Sequence, residues 1–158
     1  MTLDPDTFRS VLGRFASGIT VVTTRDVDGR DAGLTVRAFS SVSLHPPLIQ
    51  VCVDQAASVY SVMAASDHFG VSILAAEQEA LSRRFADPES DRFDGIGYGR
   101  GEHGVALLDD ALVHLECDVI ARHEAGDHTV VICAVERAAA FDGRPLLYYR
   151  GGYAQLER

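Results

Sequence analysis

Short runs of β-branched and apolar residues, each bounded by turn chemistry, constrain this chain most. Ile19 to Thr24, Leu48 to Val53, Phe69 to Leu74, Leu115 to Ala121, Thr129 to Val135 and Leu146 to Tyr149 all read as strands. Asp28-Gly29, Pro46-Pro47, Ala125-Gly126-Asp127 and Asp142-Gly143 punctuate them as turns or breaks. In Leu115, Cys117, Val119 and Ala121 the apolar residues alternate with Glu116, Asp118 and Arg122, the period of a half-buried strand. Strands at this spacing with tight turns argue for an antiparallel barrel rather than a parallel βαβ sheet.

Two or three short helices fit between the strands. Asp4-Pro5 reads as cap and first turn of one that runs to Gly18, with Phe8, Val11, Leu12 and Phe15 on one apolar face. Ser58 to Ala65 reads as a second, capped by Ser58 or a neighbour. Glu77 to Phe85 reads as a third, with Leu81 and Phe85 on one face. Asp87 to Gly104 is polar and Gly-rich, and its length makes it a candidate functional loop.

With 158 residues, the chain fits a single domain, 1–158, and buries roughly 70% of its unfolded surface. Its hydrophobic share of 47% is far from the composition of disorder. A net charge of −9 repels phosphate backbones and anionic lipid, which excludes nucleic acid and membrane as expected partners. The opening Met1 to Asp6 has neither the basic nor the apolar region of a signal peptide, and no apolar run approaches the ~20 residues of a membrane span. Cys52, Cys117 and Cys133 form no C-x-x-C pair, so reduced thiols in a cytoplasmic protein are expected.

Several motifs fall to physical objections. Gly99-Arg100-Gly101-Glu102-His103-Gly104 spells G-x-G-x-x-G, but a dinucleotide fold needs a strand before it and a helix after it. No strand precedes it, and Val105 to Asp110 is too short for the helix, so the segment reads as a flexible loop. His45, His68, His103, His114, His123 and His128 are scattered with no metal-binding spacing, so no metal is expected; His114 and His123 read as solvated strand residues. The cysteines sit in apolar strands, where a small buried thiol is the default. What remains is phosphate-friendly chemistry: hydroxyls, Arg37 and small residues in Thr35 to Ser41, and two cations in Ser82-Arg83-Arg84. Either segment also reads as ordinary strand and loop, or as helix-end charge suited to the dipole.

The order of segments is more telling. Phe8 to Thr24, Gly33 to Leu48, Leu81-Ser82-Arg83-Arg84-Phe85-Ala86, Gly126-Asp127-His128-Thr129 and Leu147 to Tyr153 together resemble the flavin reductase-like family, over nearly the whole chain. These are the small reductase components of two-component flavin-dependent monooxygenases. The resemblance implies a mainly β, FMN-binding split β-barrel of Greek-key type with a few short helices, working as a homodimer. It implies an NAD(P)H-dependent flavin reductase that takes FMN or FAD and NADH or NADPH, and that supplies reduced flavin to a monooxygenase. Carried over by residue, Thr35, Val36, Arg37, Ala38, Ser40 and Ser41 form the flavin loop. Cys52, Val53 and Asp54 line the ring and ribityl chain, with Ser58 and Val59 at the ribityl or phosphate region and Arg84 with Phe85 at the phosphate end. His128, Tyr149, Arg150 and Gly151 face the nicotinamide, where His128 positions the carboxamide or stabilises charge. Arg37 and Val36 depart from the family, where a small or amide residue and alanine are frequent. The alternatives are a flavoprotein of this fold that keeps its flavin and reduces an organic substrate, or a flavin-binding protein that is no enzyme.

Overall fold

A computed structural model describes residues 2–157. The chain runs α1 (Pro5–Leu12), β1 (Ser17–Gly18), β2 (Thr20–Arg25), β3 (Asp31–Val36), β4 (Phe39–Ser43), β5 (Leu48–Asp54), α2 (Tyr60–Ala65), β6 (His68–Ile73), α3 (Glu79–Ala86), β7 (Tyr98–Arg100), β8 (Ala106–Leu108), β9 (Val113–Ala125), β10 (His128–Ala140), β11 (Leu146–Tyr149) and β12 (Gly152–Gln155). It is mainly β with a few short helices, as expected. No described helix is long and apolar enough to cross a membrane.

Seven strands form the main sheet in the order β3-β2-β6-β9-β10-β5-β4, every pair antiparallel. Its centre is the β9–β10 hairpin, which pairs from His128↔Ala125 to Ala140↔Val113 with two register shifts. Gly126, at φ 65°, takes the first position of the two-residue turn, where a side chain would be strained. Both strands run well beyond the segments expected from the sequence, because their outer ends are exposed and lose the apolar alternation. The residues from Val22, Leu34, Val51, Val53, Phe69, Val71, Leu115, Cys117, Val131 and Cys133 make one core. A second core, Ile19, Val21, Leu74, Phe85, Leu108 and Leu146, joins α3 and the small β1-β11-β12 sheet to the main one.

Four expectations need correction. The first helix ends at Leu12 rather than Gly18: Asp4 caps its start by accepting from the Thr7 N–H, and the Gly13 N–H closes its end on the Arg9 carbonyl. Ser17–Gly18 is instead drawn out to pair with Leu147–Tyr148. Ser58 caps nothing, since α2 starts at Tyr60 with no side-chain cap. The third helix starts at Glu79, because Gln78 serves as a brace that accepts from the Ala75 N–H and donates to the Asp109 carbonyl. The long loop is not all loop: Tyr98–Arg100 pairs with Ala106–Leu108 as a hairpin whose turn is the G-x-G-x-x-G segment.

That hairpin lies across the outer face of β6. The Leu108 N–H donates to Ser72 Oγ, and Thr23 Oγ1 donates to the Ala106 carbonyl at 2.5 Å. Gly70 permits the approach, since a Cβ there would stand 2.6 Å from Thr23 Oγ1 and 2.9 Å from the Ala106 oxygen. Gly70→Ala is expected to cost about 1–3 kcal/mol, the scale of core overpacking. Gly18→Ala, where a Cβ meets nothing within 4 Å, is expected to stay within about 0.5 kcal/mol. Urea unfolding of the two variants checks the contrast.

Candidate functional site

Strand β3 ends at Val36, and the chain crosses through Arg37 and Ala38 into β4. Thr35 Oγ1 donates to the Ser82 carbonyl at 2.6 Å, which ties this crossing to α3. Val36 is buried, while Arg37 and Ala38 are exposed. The Arg37 guanidinium lies 4.0 Å above the ring of Tyr148 on β11, close enough for a cation–π contact. Ser40 Oγ accepts from Gln50 on β5, and Ser41 is exposed.

The facing wall comes from the β11–β12 hairpin. Its turn is Arg150-Gly151, both at positive φ (50° and 79°), as the common two-residue turn requires. Arg150 holds this unusual conformation with its N–H donating to the Gly13 carbonyl at 2.8 Å, which binds the turn to the end of α1. Tyr149 and Arg150 are exposed. Two adjoining concavities of about 300 Å³ each share Tyr148 and Gly151; one adds Arg37, Arg9 and Phe15, the other Arg83 and Tyr153. Arg83 stands 4.8 Å over the Tyr153 ring, and Tyr153 OH and Ser82 Oγ lie 2.8 Å apart. The result is a groove with guanidinium groups over aromatic faces, suited to an anionic ligand with a flat apolar part.

A second group of expected residues gathers at one end of the sheet. His128 and Asp54 are ladder partners at the ends of β10 and β5. His128 Nδ1 lies 2.8 Å from Asp127 Oδ1, and that hydrogen bond, with the imidazole charge and a smaller effect of Arg9, lowers the Asp127 carboxyl below its ordinary value. Asp54 Oδ1 accepts from the Ala56 N–H, which shapes the turn into Ser58 and Val59. Cys52 is half-buried, and burial raises its thiol. Cys117 and Cys133, inside the core, are pushed up to about 12 by burial, so neither is a thiolate nucleophile at neutral pH.

Three of the expected site residues make other contacts in the structure. Phe85 is fully buried, edge-on to Phe93 at 5.1 Å between ring centres and against Gly33, so its ring belongs to the core. The Val53 side chain is likewise core. Arg84 turns to the loop after α3 and donates to the carbonyls of Asp91 and Asp94, which spends its guanidinium on local backbone. The cation that reaches Ser58 is Arg92, with Nη2 3.5 Å from Ser58 Oγ and Nη1 donating to the Gly33 carbonyl at 2.6 Å. Partial burial lowers the Arg92 guanidinium, against a smaller raising effect of Asp87. Sequence reasoning missed Arg92 because it lies in an aperiodic loop. The one signal was an arginine beside an aromatic residue in a loop of suspicious length.

The histidines also regroup. His114 is half-buried, with Nε2 2.6 Å from the Leu108 carbonyl and the ring edge-on to Phe141, rather than solvated. His68 and His103, 35 positions apart in the sequence, stack face to face at 3.7 Å.

Residues 12–157 match the family model described as "Flavin reductase like domain". The chain is 43% identical to a NADH-dependent flavin reductase of a Rhodococcus species, over 98% of this chain and 90% of that protein. It is 40% identical to the flavin-dependent monooxygenase reductase subunit HsaB of Mycobacterium tuberculosis, over 98% of this chain and 84% of that one. The solved structure of Streptomyces globisporus NADH:FAD oxidoreductase SgcE6 in complex with NAD and FAD fragments superposes with a TM-score of 0.91 at 35% identity, covering 99% of this chain and 96% of that one.

Because Arg84 holds the loop after α3, Arg84→Ala is expected to destabilise that loop by about 1.5–3 kcal/mol, the scale of hydrogen bonds to a charged group. Limited proteolysis should then cut between 87 and 97 faster than in the wild type, and an unchanged digestion rate would count against this role.

Proposed function

This chain belongs to the flavin reductase like family, and from that membership we propose how its groove serves the two cofactors. The protein is an NAD(P)H-dependent flavin reductase that reduces FMN or FAD and supplies the reduced flavin to a partner monooxygenase. We assign it a single flavin reductase-like domain of split-barrel, Greek-key type, located in the cytoplasm. The seven antiparallel strands and the small three-stranded sheet beside them support that architecture.

The observation that carries the site assignment is the convergence of Arg37, Tyr148 and Gly151 on one groove. Thr35, Val36, Arg37, Ala38, Ser40 and Ser41 hold the flavin in this reading, with Cys52, Asp54, Ser58 and Val59 along its length. Val53 and Phe85 act as the floor beneath, since both are core. Arg92, beside Ser58, joins Arg84 as a cation at the phosphate end in this reading. A flavin phosphate is an anion that a guanidinium binds bidentately, and the ring is an apolar plane that an aromatic or aliphatic wall covers. Arg37, Arg83 and the Tyr148 and Tyr153 rings offer that chemistry.

Bound flavin accepts a hydride from reduced nicotinamide, so the chain's own task is to hold and orient two rings. His128, Tyr149, Arg150 and Gly151 are proposed to face the nicotinamide. Asp127 fixes the His128 ring by its hydrogen bond at Nδ1, which leaves Nε2 for the carboxamide. Arg150 is preset by its bond to Gly13, so the turn brings no new ordering cost on binding.

We also assign a homodimer. Its support is the apolar face of α1 and the turn after it, where Phe8, Val11, Leu12 and Phe15 are between 51% and 80% exposed, with Phe8, Leu12 and Phe15 bordering the same groove. An apolar helix face left in water is an interaction surface by default. Sedimentation at micromolar concentration is expected to give twice the chain's 17.0 kDa; a 17.0 kDa species would refute the assignment.

The assay that tests the function mixes protein with NADH or NADPH and with FMN or FAD, and follows nicotinamide absorbance. Oxidation that requires added flavin and saturates with it is expected; oxidation at the no-flavin rate would overturn the reading. His128→Ala is expected to raise KM for the nicotinamide or lower kcat, by tenfold or more on the scale of a lost positioning contact, with flavin affinity unchanged.

A further inference from the structure

The G-x-G-x-x-G turn and the stacked histidines take no part in the reductase site. Ile73 at the far end of β6 is level with Thr20, and Thr20 is level with Val36. His68 starts the same strand, so five residues, about 17 Å of extended chain, separate it from the flavin loop. At this remote end the main sheet meets the tip of the β7–β8 hairpin.

Four chain segments bring metal-binding side chains together here. His68 and Asp118 are ladder partners on β6 and β9, with Nδ1 and Oδ1 2.7 Å apart. His103 comes from the hairpin turn, and its ring lies parallel to that of His68, with 4° between planes. One ligand atom from each of the three lies within 4.8 Å of the others. Glu136 on β10 borders the same hollow as His103 and offers a further oxygen.

We propose that His68, His103 and Asp118, with Glu136 beside them, bind a first-row divalent metal ion of the zinc type that fastens the β7–β8 hairpin to the sheet. Two imidazole nitrogens and a carboxylate oxygen are the donors such ions prefer, whereas magnesium and calcium take oxygen throughout. Bonds of 2.0–2.1 Å in a tetrahedral site put the ligand atoms about 3.3 Å apart. The 2.7 Å separation of His68 and Asp118 and the 4.8 Å outer limit bracket that value, and one imidazole turning out of the stack, so that both ring lone pairs point at one ion, completes the site. Any proton on a ligand atom is released to solvent when the ion binds there. A cavity of about 360 Å³, bordered by Thr24, Ser66, Asp67, His68 and His103, gives water access to the remaining positions.

The turn that carries His103 is built to hold it still. The Glu102 N–H donates to Glu116 Oε1 at 2.7 Å, and the Gly104 N–H donates to the Gly101 carbonyl at 3.0 Å. Gly104 sits at φ 80°, and a Cβ on Gly101 would collide with the Glu116 carboxylate. Arg100 clamps the base of the hairpin through two bonds of 2.8 Å to the Asp31 carboxylate. The glycines therefore place a histidine ligand rather than a phosphate, and the ligand is preorganised on the hairpin.

The test uses untagged full-length protein and does not depend on reductase activity. Calorimetric titration with Zn2+ is expected to show one site per chain, and Co2+ to give visible absorption bands of a bound ion. His103→Gln, an exposed turn substitution, is expected to weaken Zn2+ binding at least tenfold and to abolish the rise in Tm that Zn2+ gives the wild type. Asp118→Asn is expected to weaken it as well. No stoichiometric binding by the wild type, equal binding by His103→Gln, or an equal response to Mg2+ would each overturn the site.

Discussion

The ladder between β9 and β10 is the constraint on which the rest depends. On one side β9 pairs with β6, and through it with β2 and β3; on the other side β10 pairs with β5 and β4. Breaking that ladder would divide the sheet into β3-β2-β6-β9 and β10-β5-β4, although β3 and β4, its two edges, follow one another in the chain. The loop Arg37-Ala38 is short, so it spans the two edges only because the sheet curls round on itself. The core residues Val36, Val51, Val53 and Val131 fill the space so enclosed. Local hairpin formation at Gly126 and long-range pairing of β6 with β9 are thus both prerequisites for a groove that no single segment encodes.

The strands were legible because their apolar faces are buried. Ile19 to Thr24 and Leu48 to Val53 match their observed spans to within about a residue at each end. Prediction failed where exposure removes the period, as in the outer halves of β9 and β10. It also failed where a tertiary contact outbid local preference, as in Ser17–Gly18, taken from the expected helix by pairing with β11. The periodic face expected of the first helix holds for Phe8, Val11 and Leu12, while Phe15 falls beyond the helix end. No element of the described chain covers that face, so the pattern that predicts burial here meets exposed side chains.

The candidate site was legible as segments and not as side-chain roles. A sequence shows that Arg83, Arg84 and Arg92 exist, but not which carbonyls compete for each guanidinium. Position on the helix decides that competition. Arg83 leans back over Tyr153, while Arg84, one residue on and 100° further round, meets the returning loop. Arg92 emerges from that loop toward Gly33 and Ser58. Holding the loop by Arg84 therefore also holds Arg92 against Gly33 and Ser58.

Spacing alone misjudged the histidines for a related reason. Metal motifs with fixed intervals arise where ligands share a helix or a tight loop, and here they are spread over a strand start, a hairpin turn and a facing strand. Antiparallel pairing sets a side chain opposite one fifty positions away, as with His68 and Asp118. Glycines supply the third member by letting the hairpin tip settle against Glu116 and Arg25. The same six-letter pattern cradles a pyrophosphate when it opens a helix, because the helix turns backbone N–H groups toward one point. Between two short antiparallel strands, those N–H groups are instead spent on Val105, Gly101 and Glu116. What the turn then presents to its surroundings is the side chain of His103.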